Sequence, residues 1–424
     1  MRNNWPSRAY RRRADGRSAD GRSATLLGLS ALVTALVVTL MATTILVLIP
    51  HLSVAADTDP QGALTPTTTP ALIARADTVA SISDVAFTDV DMVTANEGWA
   101  IGTSARTTAV ATGSGIFEYS KGQWVRAFQL PMTWLTHLRM VTATEGWAGG
   151  WSYASASKLG VIAHIVNGQV ALTYFAEPVE ALDSLSAGNV WAACSSVFVH
   201  YDGQHWSTYA APQPSRGRVL AISMLSASDG WAAGSNGALY HYAGGVWRRS
   251  GMPLGADLYG IKMLSATDGW AVGWNVATDG TAVVLHYDGA KWSRVDVGRH
   301  VEWLHTIAML NPSDGWIVGG FTGARGSNLV LRYDGARWKP VPVPTQAELD
   351  GVSMVSPSEG WAVGLGVILH YHNGVWRLFD ETTHTSALGA QINEGVRITP
   401  GSLVSPTIIS SSSLRWSRRR LNGM

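Results

Sequence analysis

Seven tryptophan elements, six of them Gly-Trp and the third Val-Trp, recur at nearly even intervals, a second tryptophan follows six of the seven, and glycine and tryptophan are abundant in a chain with few charges. Together these observations predict an all-β fold, a seven-bladed β-propeller of four-stranded blades; an uncharged apolar run at 25–50 adds one expected N-terminal transmembrane helix before it. The recurring tryptophans are Trp99, Trp147, Trp191, Trp231, Trp270, Trp316 and Trp361, separated by 48, 44, 40, 39, 46 and 45 residues. A repeat of about 44 residues is the length of one four-stranded blade. Charged residues make up 14% of the 424 residues against an ordinary ~25%, while Gly 45 and Trp 19 supply turn formers and large packing groups.

Residues 1–24 form a basic tail with seven arginines, Arg2, Arg8, Arg11, Arg12, Arg13, Arg17 and Arg22, against Asp15 and Asp20. Residues 25–50 carry no charged side chain. The apolar run from Leu26 to Ile49 would rise roughly 36 Å as a helix, enough to cross a hydrocarbon core of ~30 Å. The arginines are expected to hold the amino terminus in the cytoplasm, which places the chain after His51 outside the cell membrane as a single-pass protein. A retained signal anchor is the favoured reading; Ser53-Val54-Ala55 leaves cleavage as the alternative. Residues 51–78, rich in Thr, Pro, Asp and Ala, are expected to be an extended linker. The propeller occupies 79–380, and 381–424 is expected to be a mostly disordered tail, with "GVRIT" at 395–399 a candidate edge strand.

Each copy divides into four strands, a to d. Strand a ends in an alternation such as "AISML" and strand b carries "GWAAG" or "GWAVG". Strand c is "ALYHY" or "VVLHY", and strand d begins at Trp124, Trp206, Trp247, Trp292, Trp338 or Trp376, with Val170 in the second copy. Between a and b, "SASDG" and "SPSEG" suit a tight turn, so Glu97, Glu145, Asn189, Asp229, Asp268, Asp314 and Glu359 are expected to be turn residues. Between c and d, "YDGQHW", "YDGAKW" and "YDGARW" place Asp-Gly in a hairpin. The tryptophans are expected to pack between blades, and Met92, Met140, Met224, Met263, Met309 and Met354 to fill gaps in the core. All four strands of each copy come from that copy, so the ring is expected to close by packing unless residues 79–86 or the tail lend a strand.

The single cysteine, Cys194, stands where other copies have Gly and is expected to be a small buried strand residue. It excludes an intrachain disulfide framework and a thiolate-rich metal site from this chain. A net charge of +1, with arginines gathered at the termini, gives no basis for nucleic-acid binding. His164, His200, His241, His286 and His370 recur on strand c. Equivalent atoms of adjacent blades lie ~15 Å apart at that radius, too far for metal bonds of ~2 Å, so these are expected to be hydrogen-bonded structural histidines. No metal and no cofactor are expected.

The residues around "GWAVG" and the strand d tryptophan resemble the bacterial neuraminidase repeat, or Asp-box, propellers, and more closely the extracytoplasmic photosystem II assembly and stability factor family. Gly203 to Trp206, Gly289 to Trp292 and Gly335 to Trp338 keep the Gly-to-Trp spacing of three. The Asp slot holds Tyr201, Tyr287 and Tyr333, and Asp202, Asp288 and Asp334 fall one residue late. The resemblance implies the propeller fold. A sialidase would also need an arginine triad, a Tyr/Glu nucleophile pair and an "RIP" motif, and no "RIP" occurs.

The a-b and c-d hairpins are uniform, whereas the b-c and d-a connections vary in length, so specificity is expected on the face they share. Long b-c loops bring Arg106, Trp151, Tyr153, Trp274, Asn275, Phe321 and Arg325. Two d-a loops, "TWLTH" and "EWLHT", bring Trp134, His137, Glu302, Trp303 and His305. Aromatic rings with interspersed polar groups on a rigid frame suit a protein or glycan ligand. Asp91, Arg139, Asp183 and Lys262 on strand a are candidates to line the central channel, or to be paired and inert. The function read from these features is a non-catalytic binding or assembly scaffold. The alternative is a carbohydrate-active enzyme or glycan-binding protein, which as a glycosidase would need opposed carboxylates ~5 to 9.5 Å apart. Glu302 and Glu180 are the candidates for that pair.

Overall fold

The computed structural model describes residues 67–68, 73–75, 78–79, 82–104, 113–153, 157–195, 197–212, 217–250, 255–275, 280–298, 303–321 and 327–379. The expected basic tail, transmembrane helix and C-terminal tail lie outside the described residues, as do Arg106, Glu302 and Arg325. Among the described residues no helix is long and apolar enough to cross a membrane.

Seven antiparallel sheets follow one another along the chain, each with four consecutive strands paired in the order a-b-c-d. Strands a are Val85–Thr94, Thr133–Thr142, Val179–Ser186, Val219–Ser226, Ala256–Ser265, Trp303–Asn311 and Leu349–Ser356. Each packs against the next and the seventh against the first, which closes the ring. Strands b are Glu97–Ser104, Glu145–Ser152, Asn189–Cys194, Asp229–Gly234, Asp268–Asn275, Asp314–Phe321 and Glu359–Gly364.

The turns form for local reasons. In the a-b hairpins the first polar side chain accepts a hydrogen bond from the amide two residues on: Ser226 Oγ from Ser228 (3.2 Å), Ser265 Oγ from Thr267 (3.1 Å), Asn311 Oδ1 from Ser313 (2.8 Å). In the c-d hairpins Asp202 Oδ1 accepts from Gln204 N and His205 N at 2.8 and 2.7 Å, and Asp288 and Asp334 repeat the pattern. The late position of these aspartates thus serves the turn. The glycines beside the strand b tryptophan answer to close approach. A Cβ on Gly230 would fall 2.3 Å from Met224 Sδ, and one on Gly319 would fall 1.9 Å from the carbonyl oxygen of Trp303. Cys194, at the position of the second glycine, is buried, and burial pushes its thiol up to about 12.

The tryptophans pack between blades. Trp147, Trp191, Trp231, Trp270, Trp316 and Trp361 each meet a strand c tyrosine of the next blade at 4.5 to 5.4 Å between ring centroids. Each also meets that blade's strand d tryptophan edge to face at 5.4 to 6.2 Å. Within its own blade the ring stacks on the strand c histidine, as Trp191 does on His200 at 4.3 Å. That histidine reaches the acid or amide two residues before the strand b tryptophan: His164 to Glu145, His200 to Asn189, His241 to Asp229, His286 to Asp268 and His370 to Glu359. The two sets of residues taken separately as turn formers and structural histidines are therefore partners. Blade 6 substitutes Arg332, which pairs with Asp314 at 3.3 Å and lies over Trp316.

Blades 1 and 2 also depart from the pattern, and the entering chain accounts for both. Residues 67–68 and 73–74, within the expected linker, pair with Gln169–Phe175, the outer strand of blade 2. Ile73 lies opposite Val170 and packs on the core where the other blades carry tryptophan. Residues 78–79 then pair with Gln123–Leu130, the outer strand of blade 1. Here Glu118 occupies the histidine position, and Arg75 forms its ion pair at 2.5 Å. These strands are additions to complete blades. Closure between blades 7 and 1 rests on packing, on the bridge between Ala86 and Leu365, and on hydrogen bonds from Met92 N to Ser353 Oγ (3.0 Å) and Gly366 N to Val85 O (2.8 Å).

Candidate functional site at the channel mouth

The inner strands share a bulge near the loop face. Register slips between Phe87 and Asp89, Leu135 and His137, Val179 and Ala181, Val219 and Ala221, Leu258 and Gly260, Leu304 and Thr306, and Leu349 and Gly351. One residue is left unpaired in each: Thr88, Thr136, Glu180, Leu220, Tyr259, His305 and Asp350. A bulge re-aims a side chain without unpairing the strand. The residue before it is a buried apolar anchor in every copy, and the bulge residue itself differs in nearly all of them. Aligning the seven strands a would have exposed this variable ring, and with it Tyr259 and Asp350, which sequence reasoning missed.

Two clusters stand at this rim. "EWLHT" was expected in a loop, yet Trp303 and His305 open strand a of blade 6. The Trp303 ring lies 4.9 Å from Trp274 and 6.1 Å from Tyr259, nearly parallel to the latter. His305 is bracketed by Glu348 (Nε2 to Oε1, 3.0 Å) and Asp350 (Nδ1 to Oδ1, 3.4 Å). Burial lowers the basicity of His305, but the two carboxylates outweigh it and the net shift is upward. Burial pushes Asp350 up to about 6, opposed by His305 and reinforced by Glu348 and Asp89.

The second cluster is in blade 2. Trp134 and His137 likewise belong to strand a rather than a loop, and Trp134 lies opposite Trp151 in register. Trp134 meets the exposed Tyr153 edge to face at 5.3 Å, and Lys158 Nζ stands 4.2 Å over Trp151. His137 Nε2 donates to the backbone carbonyl of Glu180 at 2.6 Å, and its pKa is lowered, chiefly by burial. The Glu180 carboxylate is held by Arg218. Asn275 ends strand b of blade 5 and is buried beside this rim rather than presented on it; Phe321 ends strand b of blade 6.

Below the mouth, the channel candidates act as clasps between blades. Asp91 Oδ2 accepts from Met140 N and Asp183 Oδ2 from Met224 N, both at 2.7 Å, while Ser223 and Ser353 make the same bond with their hydroxyls. Arg139 bridges Asp89 (3.2 Å) and Asp183 (3.5 Å). Lys262 is exposed on strand a of blade 5. Of the two sequence-level alternatives, the paired one describes Asp91, Arg139 and Asp183.

Burial pushes Asp91 up to about 6 against the lowering effect of Arg139 and the Met140 amide. A carboxyl with a higher pKa in the folded than in the unfolded chain binds extra protons when folded, so stability falls as pH rises from about 4 to about 6. Asp350 adds in the same direction. So does His305, whose contribution is full below its unfolded value and lost as pH rises above it. Asp91→Asn keeps the acceptor for Met140 N and removes the buried charge. It is expected to raise the melting temperature at about pH 7.5 and not at about pH 4, measured by tryptophan fluorescence.

The fold and rim define a seven-bladed β-propeller with an aromatic, acid-edged channel mouth. No protein-family model matches the chain, and no curated protein does. Among solved structures it is similar to YCF48 from Cyanidioschyzon merolae, at 15% identity over 70% of this chain and 99% of that one, with a TM-score of 0.50. It is also similar to streptogramin B lyase, at 14% identity over 72% and 98% with a TM-score of 0.54. A third likeness is to an ancestral GH74 enzyme, at 11% identity over 72% of this chain and 47% of that one, with a TM-score of 0.54. These likenesses establish the fold.

Proposed function

We propose that the protein is a membrane-anchored, extracytoplasmic, non-catalytic binding scaffold that takes an extended polypeptide segment at the channel mouth. The observation that carries this reading is the convergence of Tyr259 and Trp303 on His305, with Trp274 against Trp303 and with Glu348 and Asp350 on the adjoining blade. Half-buried rings offer apolar contact at little entropic cost, and carboxylates at the edge favour a basic partner. The repeat's resemblance to the photosystem II assembly and stability factor and neuraminidase-repeat propellers supports an assembly role outside the membrane, as does the apolar 25–50 segment behind its arginines.

A glycosidase is disfavoured by geometry. Glu348, just before strand a of blade 7, and Asp350, within it, stand two residues apart and share one imidazole, whereas the acids of a glycosidase flank the scissile bond from opposite sides. Glu180 is engaged by Arg218, and Glu302 lies outside the described residues. The rings alone keep glycan binding as the second reading.

Detergent-solubilised full-length protein applied to peptide and glycan arrays tests the reading. Peptides carrying basic and aromatic residues are expected to bind, and Trp303→Ala to weaken them by about tenfold or more. Retention on glycans alone, or peptide binding indifferent to Trp303, would overturn it. Carbonate extraction and protease accessibility of the propeller on intact cells test the anchor and its orientation.

A further inference from the structure

On the opposite, hairpin face, strand c of blade 7, Val367–His372, ends in "HYH". The residue two beyond the strand c histidine is Val166, Asp202, Ala243 or Asp288 in the other blades that carry one. Residues i and i+2 of a strand project to the same side. His372 therefore joins His370 on Glu359, whose longer side chain reaches both. His370 Nε2 contacts Oε1, and His372 Nδ1 lies 2.7 Å from Oε2. One ligand atom from each residue lies within 4.8 Å of the other two.

We infer that Glu359, His370 and His372 form a binding site for a divalent transition-metal cation of the zinc type. Two imidazoles and one carboxylate are an established ligand set for such ions, with bonds of about 2.0–2.2 Å and a fourth position left for solvent. Nitrogen-rich donors favour zinc, nickel or copper over magnesium or calcium. Strand c histidines of different blades are too far apart to share an ion, but here the whole set comes from one blade. The other histidine-acid pairs offer two donors each. At the channel mouth His305, Glu348 and Asp350 also bring three donors within 4.8 Å of one another, but only one of the three is a nitrogen, against two in blade 7.

The surroundings suit a built site. The His370 ring stacks on the fully buried Trp361 at 4.2 Å, which fixes its plane. Asn373, in a left-handed turn (φ 48°), places its side-chain amide 2.8 Å from His372 Nε2. When His372 Nδ1 takes the metal, the proton resides on Nε2, and the Asn373 amide turned about its bond accepts it. Glu359 is largely covered and His372 is half open, with side-chain exposures of 14% and 53%, so one side admits an ion from solvent. Trp361 also packs on Tyr119 and Trp124 of blade 1, so the ion would brace strands b and c of the blade that closes the ring.

The test is titration of metal-free full-length protein with Zn²⁺ by calorimetry and with Co²⁺ by visible absorption. One zinc per chain is expected, with Co²⁺ giving the visible bands of a four-coordinate nitrogen-oxygen site. His372→Ala and Glu359→Gln are each expected to weaken binding by about tenfold or more, and His286→Ala to leave it unchanged. His372 is exposed, so its variant should fold, and far-ultraviolet circular dichroism confirms that before titration. Absence of stoichiometric binding, or zinc bound to His372→Ala as tightly as to the parent, would overturn the site. The peptide-array result does not bear on either outcome.

Discussion

Trp361→Ala is expected to destabilise the protein by about 3–5 kcal/mol, the cost of truncating a fully buried indole. The ring meets Tyr119 at 4.6 Å and Trp124 at 5.8 Å in blade 1, Phe379 at 5.5 Å beyond strand d, and His370 at 4.2 Å within its own blade. Its loss leaves a cavity across the one seam that no covalent connection between consecutive blades supports. Other seams are joined by the chain itself; this one rests on side chains, one backbone bridge and a few hydrogen bonds. Denaturant unfolding followed by circular dichroism measures the effect. Trp99→Ala is the comparison: that indole stacks on Phe128 of its own blade and donates to Ala143 O at 2.8 Å, at a chain-connected seam. A smaller loss for Trp361 than for Trp99 would contradict closure by packing.

Gly319→Ala is expected to cost about 3 kcal/mol or more, at or beyond the usual range for overpacking. The added methyl would stand 1.9 Å from the Trp303 carbonyl oxygen, an atom fixed by the bulge that shapes the channel mouth. Backbone cannot step aside there without disturbing strand a. Gly230→Ala is expected to cost less, because the obstacle at 2.3 Å is the flexible end of Met224. Pairing it with Met224→Ala should recover part of that loss, a coupling that a double-mutant cycle reads directly. Equal costs for the two glycine variants would show that the bulge yields as readily as a methionine.

The architecture was legible because it is repeated. Seven copies of one strand-turn-strand unit allow each ambiguous position to be judged against six others. That is why the tryptophans, the methionines, the turn residues and Cys194 could be assigned from their types and spacing. Partnership between the strand c histidines and the pre-glycine acids was hidden, since the two lie 11 to 19 residues apart and meet only when strands b and c are in register. Tyr259 and Asp350 went unnoticed for a related reason. A bulge changes which side chain turns toward the rim, and the alternation of a strand gives no warning of it.

What the sequence determined by itself was the number of blades, their strands, the packing groups between them and the apolar 25–50 segment with its basic flank, because periodicity and composition are local properties of the chain. Only the tertiary structure decided which candidates meet. It drew Trp274 of one blade to Trp303 of the next, set Glu348 and Asp350 of a third around His305, gave the entering chain to the outer edges of blades 1 and 2, and closed two histidines on Glu359. Those groupings depend on bulges and on register between strands. Both are fixed by packing around the whole ring rather than by any short run of residues.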